Sequence, residues 1–254
     1  MKLLKPSVEI LDNSNPYKLI EKCGRVCYKS ESRITNDSYV KFINMIKKNK
    51  HLSVLEHGTF YLTIPSGDLN FPRIREGVTK LLDNKYTKYK EHNQLLYVTT
   101  NYRVIVENNL EALLFYNLGI SEHHYKRTTV KFVCSRACAQ QLTRHRIASF
   151  SMESQRYCNY SKGKFNGEIS FIYLKDIPEV QKNLYSECEK VYMQLIANKF
   201  LPQEARMVLP NATKTELIMT AYNDDWQEIF NLRCSNSADE EIRFLCNPLK
   251  DQIK

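Results

Sequence analysis

The chain has 254 residues, 43% of them hydrophobic and 11% aromatic, enough to build a core and too apolar for wholesale disorder. It carries 37 Lys and Arg against 28 Asp and Glu, a formal charge of +9, with only 7 Gly and 8 Pro. That scarcity excludes collagen-like repeats, Gly-rich linkers and propeller-type turn density, while the basic surplus fits either a polyanionic partner or Lys simply solvated at the surface.

Residues 1–15 alternate charged and apolar side chains without the continuous apolar run of a signal peptide. No stretch approaches the roughly eighteen apolar residues of a membrane span, so a cytoplasmic protein with no membrane partner is expected. Residues 16–30 place Leu19, Ile20, Cys23, Val26 and Cys27 at helical spacing, with Pro16 in the first turn and Asn15 as its cap. Residues 37–48 repeat the pattern. Residues 57–65 alternate Phe60, Leu62 and Ile64, a strand. The polar, Lys-rich 67–93 reads as partly helical, 95–106 as a strand broken at Thr100-Asn101, and 111–118 as a short helix. Residues 127–134 form an alternating strand running into a helix over 137–148. A strand at 169–174 precedes a long amphipathic helix over 178–200 with Val180, Leu184, Cys188, Val191, Leu195 and Ile196 inward. Residues 213–222 favour a strand, and 224–232 and 238–249 helices. This order, without regular βαβ alternation, predicts an α+β fold with a mixed or antiparallel sheet flanked by helices.

Eight cysteines lack any C-x-x-C pair and read as reduced, small apolar residues, with no metal site. The chemistry concentrates in residues 140–160, QQLTRHRIASFSMESQRYCNY. Three guanidiniums (Arg144, Arg146, Arg156), the hydroxyls of Ser149, Ser151 and Ser154 and the Glu153 carboxylate suit a phosphate-bearing ligand, since Arg forks bind phosphate oxygens bidentately. A basic helix end complementing the helix dipole is the plainer reading. Arg206 and Arg233 stand in apolar surroundings, as ligand contacts or as ion-paired core arginines. In HLSVLEH, residues 51–57, His51 and Ser53 read as caps, and Glu56 with His57 as a buried hydrogen-bonded pair.

Arg144-His145-Arg146, seven residues, then Ser154 resembles the signature of the flavin-dependent thymidylate synthases. CGRVCYKS, HLSVLEHGTFYLTI, KFVCSRACAQQLTRHR, QEARMVLPNATKTELIMT and FNLRCSNSADEEIR resemble family blocks in the same order, while residues 66–127 carry little likeness. The resemblance implies a homotetrameric fold with active sites between subunits, and a single catalytic domain over 1–254 with a family-variable insertion at about 66–127. It implies reductive methylation of dUMP to dTMP, with 5,10-methylenetetrahydrofolate as carbon donor, FAD as redox mediator and NADPH as reductant, and no nucleic-acid partner.

By position, the resemblance assigns Arg144, His145, Arg146, His51, Ser53, Glu153 and Asn223 to flavin. It assigns Gln141, Arg144, Ser154, Gln155, Arg156, Arg206 and Arg233 to substrate, Arg206 coming from a neighbouring subunit. Arg233 and Ser154 take the catalytic roles, Arg233 facing the uracil ring and Ser154 orienting it. The chain departs from the family where Ser151-Met152 replaces Asn-Glu, Glu153 standing one place later. It departs again where Asn223-Asp224-Asp225 replaces Asn-x-Arg. Two alternatives stay open: a nucleic-acid-binding protein using an Arg-rich helix, and a non-catalytic nucleotide-binding homologue.

Overall fold

The computed structural model describes residues 1–254. Its centre is a four-stranded antiparallel sheet in the order β2 (Ser7–Ile10), β6 (Arg127–Ser135), β9 (Lys214–Tyr222), β7 (Ser149–Met152). Successive side chains of a strand point to opposite faces, so β6 and β9 sort their residues cleanly. One face carries Val130, Phe132, Cys134, Leu217, Met219 and Ala221, covered by α5 (Arg136–Leu142), α8 (Asn223–Arg233) and α9 (Glu240–Lys250). Phe132 and Trp226 are fully buried there, each burial stabilising by roughly 1.5–3 kcal/mol. The other face carries Thr129, Lys131, Glu216, Ile218 and Thr220, against α1 (Pro16–Tyr28) and a 3-10 turn, Leu52–His57.

The start of α1 follows its sequence: Asn15 Oδ1 accepts from the Tyr17 and Lys18 amides at 3.0 and 3.1 Å, and Pro16 opens the first turn. Gly24 lets α1 cross α2 (Ser38–Lys48), because a Cβ there would lie 2.4 Å from Phe42 Cζ.

A second, three-stranded antiparallel sheet runs β3 (Thr59–Pro65), β5 (Leu95–Asn101), β4 (Lys88–His92). Phe60, Leu62 and Ile64 of β3 and Leu96 and Val98 of β5 enter a separate core with α2, α3 (Pro72–Leu82) and α4 (Tyr102–Glu107). The Tyr222 hydroxyl ties the two sheets, 2.7 Å from Thr99 O and 2.9 Å from Tyr86 O, while accepting from the Lys88 amide at 3.2 Å. A short parallel pair, β1 (Lys2–Leu4) with β8 (Ser170–Ile172), packs on α6 (Glu179–Ala197) and α7 (Pro202–Ala205) in a third core.

The α+β class and the antiparallel sheets agree with expectation, and four local readings are corrected. Strands β1, β2 and β4 stand where no strand is expected, in the N-terminus and the Lys-rich 67–93; β1 and β2 are short and pair with distant chain, while β4 makes a tight hairpin with the adjacent β5. The strand at 95 stops at Asn101, whose side chain accepts from the Val104 amide at 3.1 Å and starts α4. The helix expected over 137–148 ends at Leu142, because residues 149–152 pair with β9. On α6, Val180 and Leu184 are exposed, and Tyr185 and Tyr192 are buried instead, Tyr185 stacked on Phe171 at 4.5 Å and Tyr192 tilted against Tyr160 at 5.4 Å.

Candidate active site

The segment with the guanidiniums is a loop. Ser135 caps α5, its Oγ accepting from the Cys138 amide at 3.1 Å and donating to Glu241 Oε2 at 2.6 Å. After Leu142 the chain makes two tight turns, the His145 amide to Leu142 O at 3.2 Å and the Ala148 amide to His145 O at 3.0 Å. Arg144 and Arg146 are thereby exposed and make no ion pair. The Arg-rich helix that docking to nucleic acid would use is therefore absent.

Arg233, in the last turn of α8, reaches this loop. Its Nε donates to His145 Nε2 at 3.0 Å and its Nη2 to Gln141 O at 2.8 Å. Burial first, and the Arg233 charge second, push the His145 pKa down to about 4. The ring is thus neutral near pH 7, with Nε2 as acceptor and the proton on Nδ1. Three of the five guanidinium N–H groups of Arg233 remain free.

Past the loop, Ser149 and Ser151 are buried on the polar face of the sheet. His57 is wholly buried, its Nε2 3.0 Å from Ser151 Oγ and its Nδ1 2.8 Å from Thr220 Oγ1. Desolvation, then the nearby Arg127 charge, lowers its pKa to about 3. The expected Glu56–His57 pair does not form; Glu56 instead holds Arg103 at 2.7 Å. Strand parity explains Glu153. Its amide continues the ladder to Glu216 O at 2.8 Å, so its side chain lies on the polar face with Ser149 and Ser151. There it is buried, and Lys214 Nζ lies 2.8 Å from its Oε2.

Ser154 is anchored by its amide to Cys27 O at 3.0 Å, and its Oγ accepts from the Arg156 amide at 3.3 Å. No base lies within hydrogen-bond reach of that hydroxyl. Gln155 is buried with its Nε2 unpartnered. Arg156 Nε donates to Gln203 Oε1 at 3.1 Å, on α7, three residues before the half-buried Arg206. The structure thus brings Arg156 to the short helix that Arg206 ends.

His51 and Ser53 line a cleft of about 880 Å3 between α1, α2 and the 3-10 turn that follows. Neither side chain makes a helix-cap bond. Arg25, Arg33, Lys50 and Tyr157 also line it, over a floor containing Phe42 and Ile46. None of Arg144, His145, Arg146 or Arg233 lines this cleft, so within one chain the two halves of the expected flavin site stay apart. Asn223 opens α8, its Oδ1 accepting from Thr128 Oγ1 at 2.8 Å and its Nδ2 donating to Lys254 O at 2.8 Å. Asp224 and Asp225 face Lys88 at 3.6 and 3.3 Å.

Sequence reasoning missed Arg25, Arg33, Lys50 and Lys214 because they come from separate segments with no shared motif. Gly24, required by the close approach of α1 and α2, was the one local signal of the cleft's wall. All eight cysteines are free. Burial raises the thiol pKa of Cys23 and Cys27, and pushes Cys158 and Cys246 up to about 12, so none of these four is a thiolate near neutrality.

The sequence model of the family described as Thymidylate synthase complementing protein matches residues 9–69 and 118–254. A flavin-dependent thymidylate synthase of Pyrococcus furiosus is 35% identical over 156 residues, 57% of this chain and 63% of that protein. One of Geobacter sulfurreducens is 36% identical over 122 residues, 47% of this chain and 53% of that protein. The chain thus aligns with only about half to three fifths of these relatives' lengths. A UMP/dUMP methylase of Streptomyces cacaoi, solved with 5-Br dUMP, superposes at a TM-score of 0.49 with 15% identity, covering 99% of this chain and 91% of that one. That likeness is too loose to carry an argument. No helix is long and apolar enough to cross a membrane.

Proposed function

The chain belongs to the thymidylate synthase complementing protein family, and on that footing we propose that it is a flavin-dependent thymidylate synthase. In this reading it converts dUMP to dTMP in the cytoplasm, with 5,10-methylenetetrahydrofolate as carbon donor, FAD as redox mediator and NADPH as reductant. It works as a homotetramer whose sites lie between subunits, bringing together the cleft and the arginine loop that one chain holds apart. Exposed Val180, Leu184 and Met207 are apolar surface available for such assembly.

The observation that carries the reading is the clasp of Arg233 on His145 and Gln141, a fixed guanidinium with N–H donors to spare. Carbon 5 of uracil is a weak nucleophile, and charge gathers on the ring carbonyls as it reacts. Donors fixed beforehand stabilise that charge without reorganising, an effect of about 10²–10³ in rate for one such donor in other enzymes. Neutral His145 orients Arg233 without adding a second positive charge. Ser154, with no base to activate it, orients the substrate through its hydroxyl, alongside Gln141 and Gln155. Arg156 and Arg206 take the nucleotide phosphate through their forks. The protonated thiols leave ring activation to electrostatics.

The residues present fit a flavin nucleotide: the cleft joins cations to aromatic and aliphatic walls in a volume common for cofactor sites. His51 and Ser53 on one side, and Arg144, His145 and Arg146 on the other, would hold it. Bound FAD supplies a two-electron carrier between nicotinamide and the one-carbon unit. Purified protein is expected to be yellow, to bleach with NADPH, and to release tritium from 5-tritiated dUMP only when methylenetetrahydrofolate and NADPH are both present. Colourless protein that takes up no FAD overturns the reading. Yellow protein that bleaches yet releases no tritium identifies the non-catalytic homologue.

A further inference from the structure

A second cleft, of about 400 Å3, opens between β1, β8, the start of β9 and the end of α1. Lys29 lines it, while its neighbours Tyr28 and Ser30 line the larger cleft, so the α1 terminus separates the two. Lys2, Lys164 and Lys214 also face it, with Asn166 and Tyr160. We propose that this cleft binds a phosphate-bearing anion at a site distinct from the reaction centre.

The charges do not cancel. Glu216 gathers Lys29, Lys131 and Lys214 at 2.6, 2.7 and 2.6 Å. Glu31 holds Lys29 and Lys164 at 2.9 and 3.0 Å, and Glu153 holds Lys214 at 2.8 Å. This connected set has four ammonium groups and three carboxylates. Lys2 adds a fifth ammonium that makes no ion pair; Glu168, also on the wall, shares the N-terminal amine at 3.6 Å with Glu189, which holds it at 2.8 Å, and the whole set stays one positive charge in excess. Lys29 and Lys214 are only 11% and 13% exposed, so part of this surplus is shielded from solvent. Lys29 stands in the left-handed region, φ 50°, as the C-cap that ends α1, its amide donating to Val26 O at 3.2 Å.

The second observation is a donor without an acceptor. Tyr160, 3% exposed, lines the cleft, and its hydroxyl and the neighbouring Gln155 Nε2 both lack a well-formed hydrogen bond. A buried polar atom left unpaired is costly, and an oxyanion in the cleft satisfies it. Ammonium groups arriving from several directions suit a tetrahedral phosphate as point charges, without the flat fork that a carboxylate prefers.

The test is calorimetric titration of the full chain with inorganic pyrophosphate, FAD and dUMP being present at saturation to occupy the arginine site. One site per chain is expected, weakening steeply as salt rises. Tyr160→Phe removes only the orphaned hydroxyl, so the protein should melt no lower than wild type yet bind about tenfold more weakly, the size of one hydrogen bond to a charged group. Lys164→Gln, at a side chain 41% exposed, is expected to weaken binding without loss of fold. Lys190→Gln, an exposed lysine on α6, leaves binding unchanged. A flat isotherm, or wild-type affinity in both Tyr160→Phe and Lys164→Gln, overturns the proposal.

Discussion

The two faces of the central sheet are built on opposite principles. Toward α5, α8 and α9 the face is apolar, and its core closes by shape. Toward α1 it is buried but polar: Thr129, Thr220, Ser151 and His57 form one hydrogen-bonded chain, and Lys131, Glu216, Lys214 and Glu153 an ionic one. Apolar packing tolerates small shifts at a graded cost, whereas a buried polar chain is satisfied only when every member is in place. The expected site residues straddle this divide. Arg233 and its loop hang from the apolar side, and His51, Ser53 and the motif strand β7 are gripped by the polar side. The sheet thus joins a plain scaffold to a registered one.

The largest effects should separate the faces. Phe132→Ala leaves a cavity and is expected to lower unfolding free energy by about 3–5 kcal/mol in urea titrations. Lys214→Met should cost a comparable ~3–5 kcal/mol by stranding the buried Glu153, while Glu216 keeps Lys29 and Lys131. Here the faces part: adding Glu153→Gln to Lys214→Met is expected to restore a good part of the loss, because it removes a stranded charge. No polar change nearby should rescue Phe132→Ala. Equal behaviour of the two series would erase the contrast.

Next in size is Arg233→Ala. It is expected to slow turnover about 10²–10³-fold while leaving FAD absorbance in the purified protein. Unchanged turnover removes Arg233 from the chemistry.

The smallest effect concerns pH. The His57 pKa is lowered to about 3 in the fold, from an ordinary 6.5. Between those values the unfolded chain binds a proton that the folded chain refuses, so stability falls as pH drops below 6.5 and the loss levels off near 3. His57→Gln should flatten that slope by up to about 1.4 kcal/mol per pH unit, read from urea titrations at pH 5 and 6. An unchanged slope means the polar face does not keep the ring neutral. Glu216, held low by its lysines against the desolvation that opposes them, adds its own loss of stability once pH falls below the ordinary carboxylate range.

What the sequence disclosed follows the same divide. Alternation at Phe60–Ile64 and Val130–Cys134 gave the strands, and Asn15-Pro16 gave the start of α1, because those signals are local. The end of α5 was illegible: no breaker follows Leu142, and the helix stops because Ser149–Met152 finds β9, some seventy residues away. On α6 the aliphatic stripe suggested one inward face, but two tyrosines had the aromatic partners to bury. The Arg144-to-Ser154 motif and Arg233 were legible through family resemblance, not through spacing. The Glu153–Lys214 contact turns on strand parity, which needs β7 to be known first. The cleft's cations, scattered from Arg25 to Arg103, meet only in three dimensions.

The Tyr222 hydroxyl has a consequence for how the molecule comes apart. It sits at the end of β9 yet meets backbone from the segment 70–117, which the family model leaves unmatched. With Lys88 lying over the same ring at 4.5 Å, that lobe is riveted to the end of β9 and does not merely hang from β3. Slow-exchanging amides of β5 and β9 should then lose their protection together, and a Tyr222→Phe chain should be the one in which the two lobes open on separate clocks.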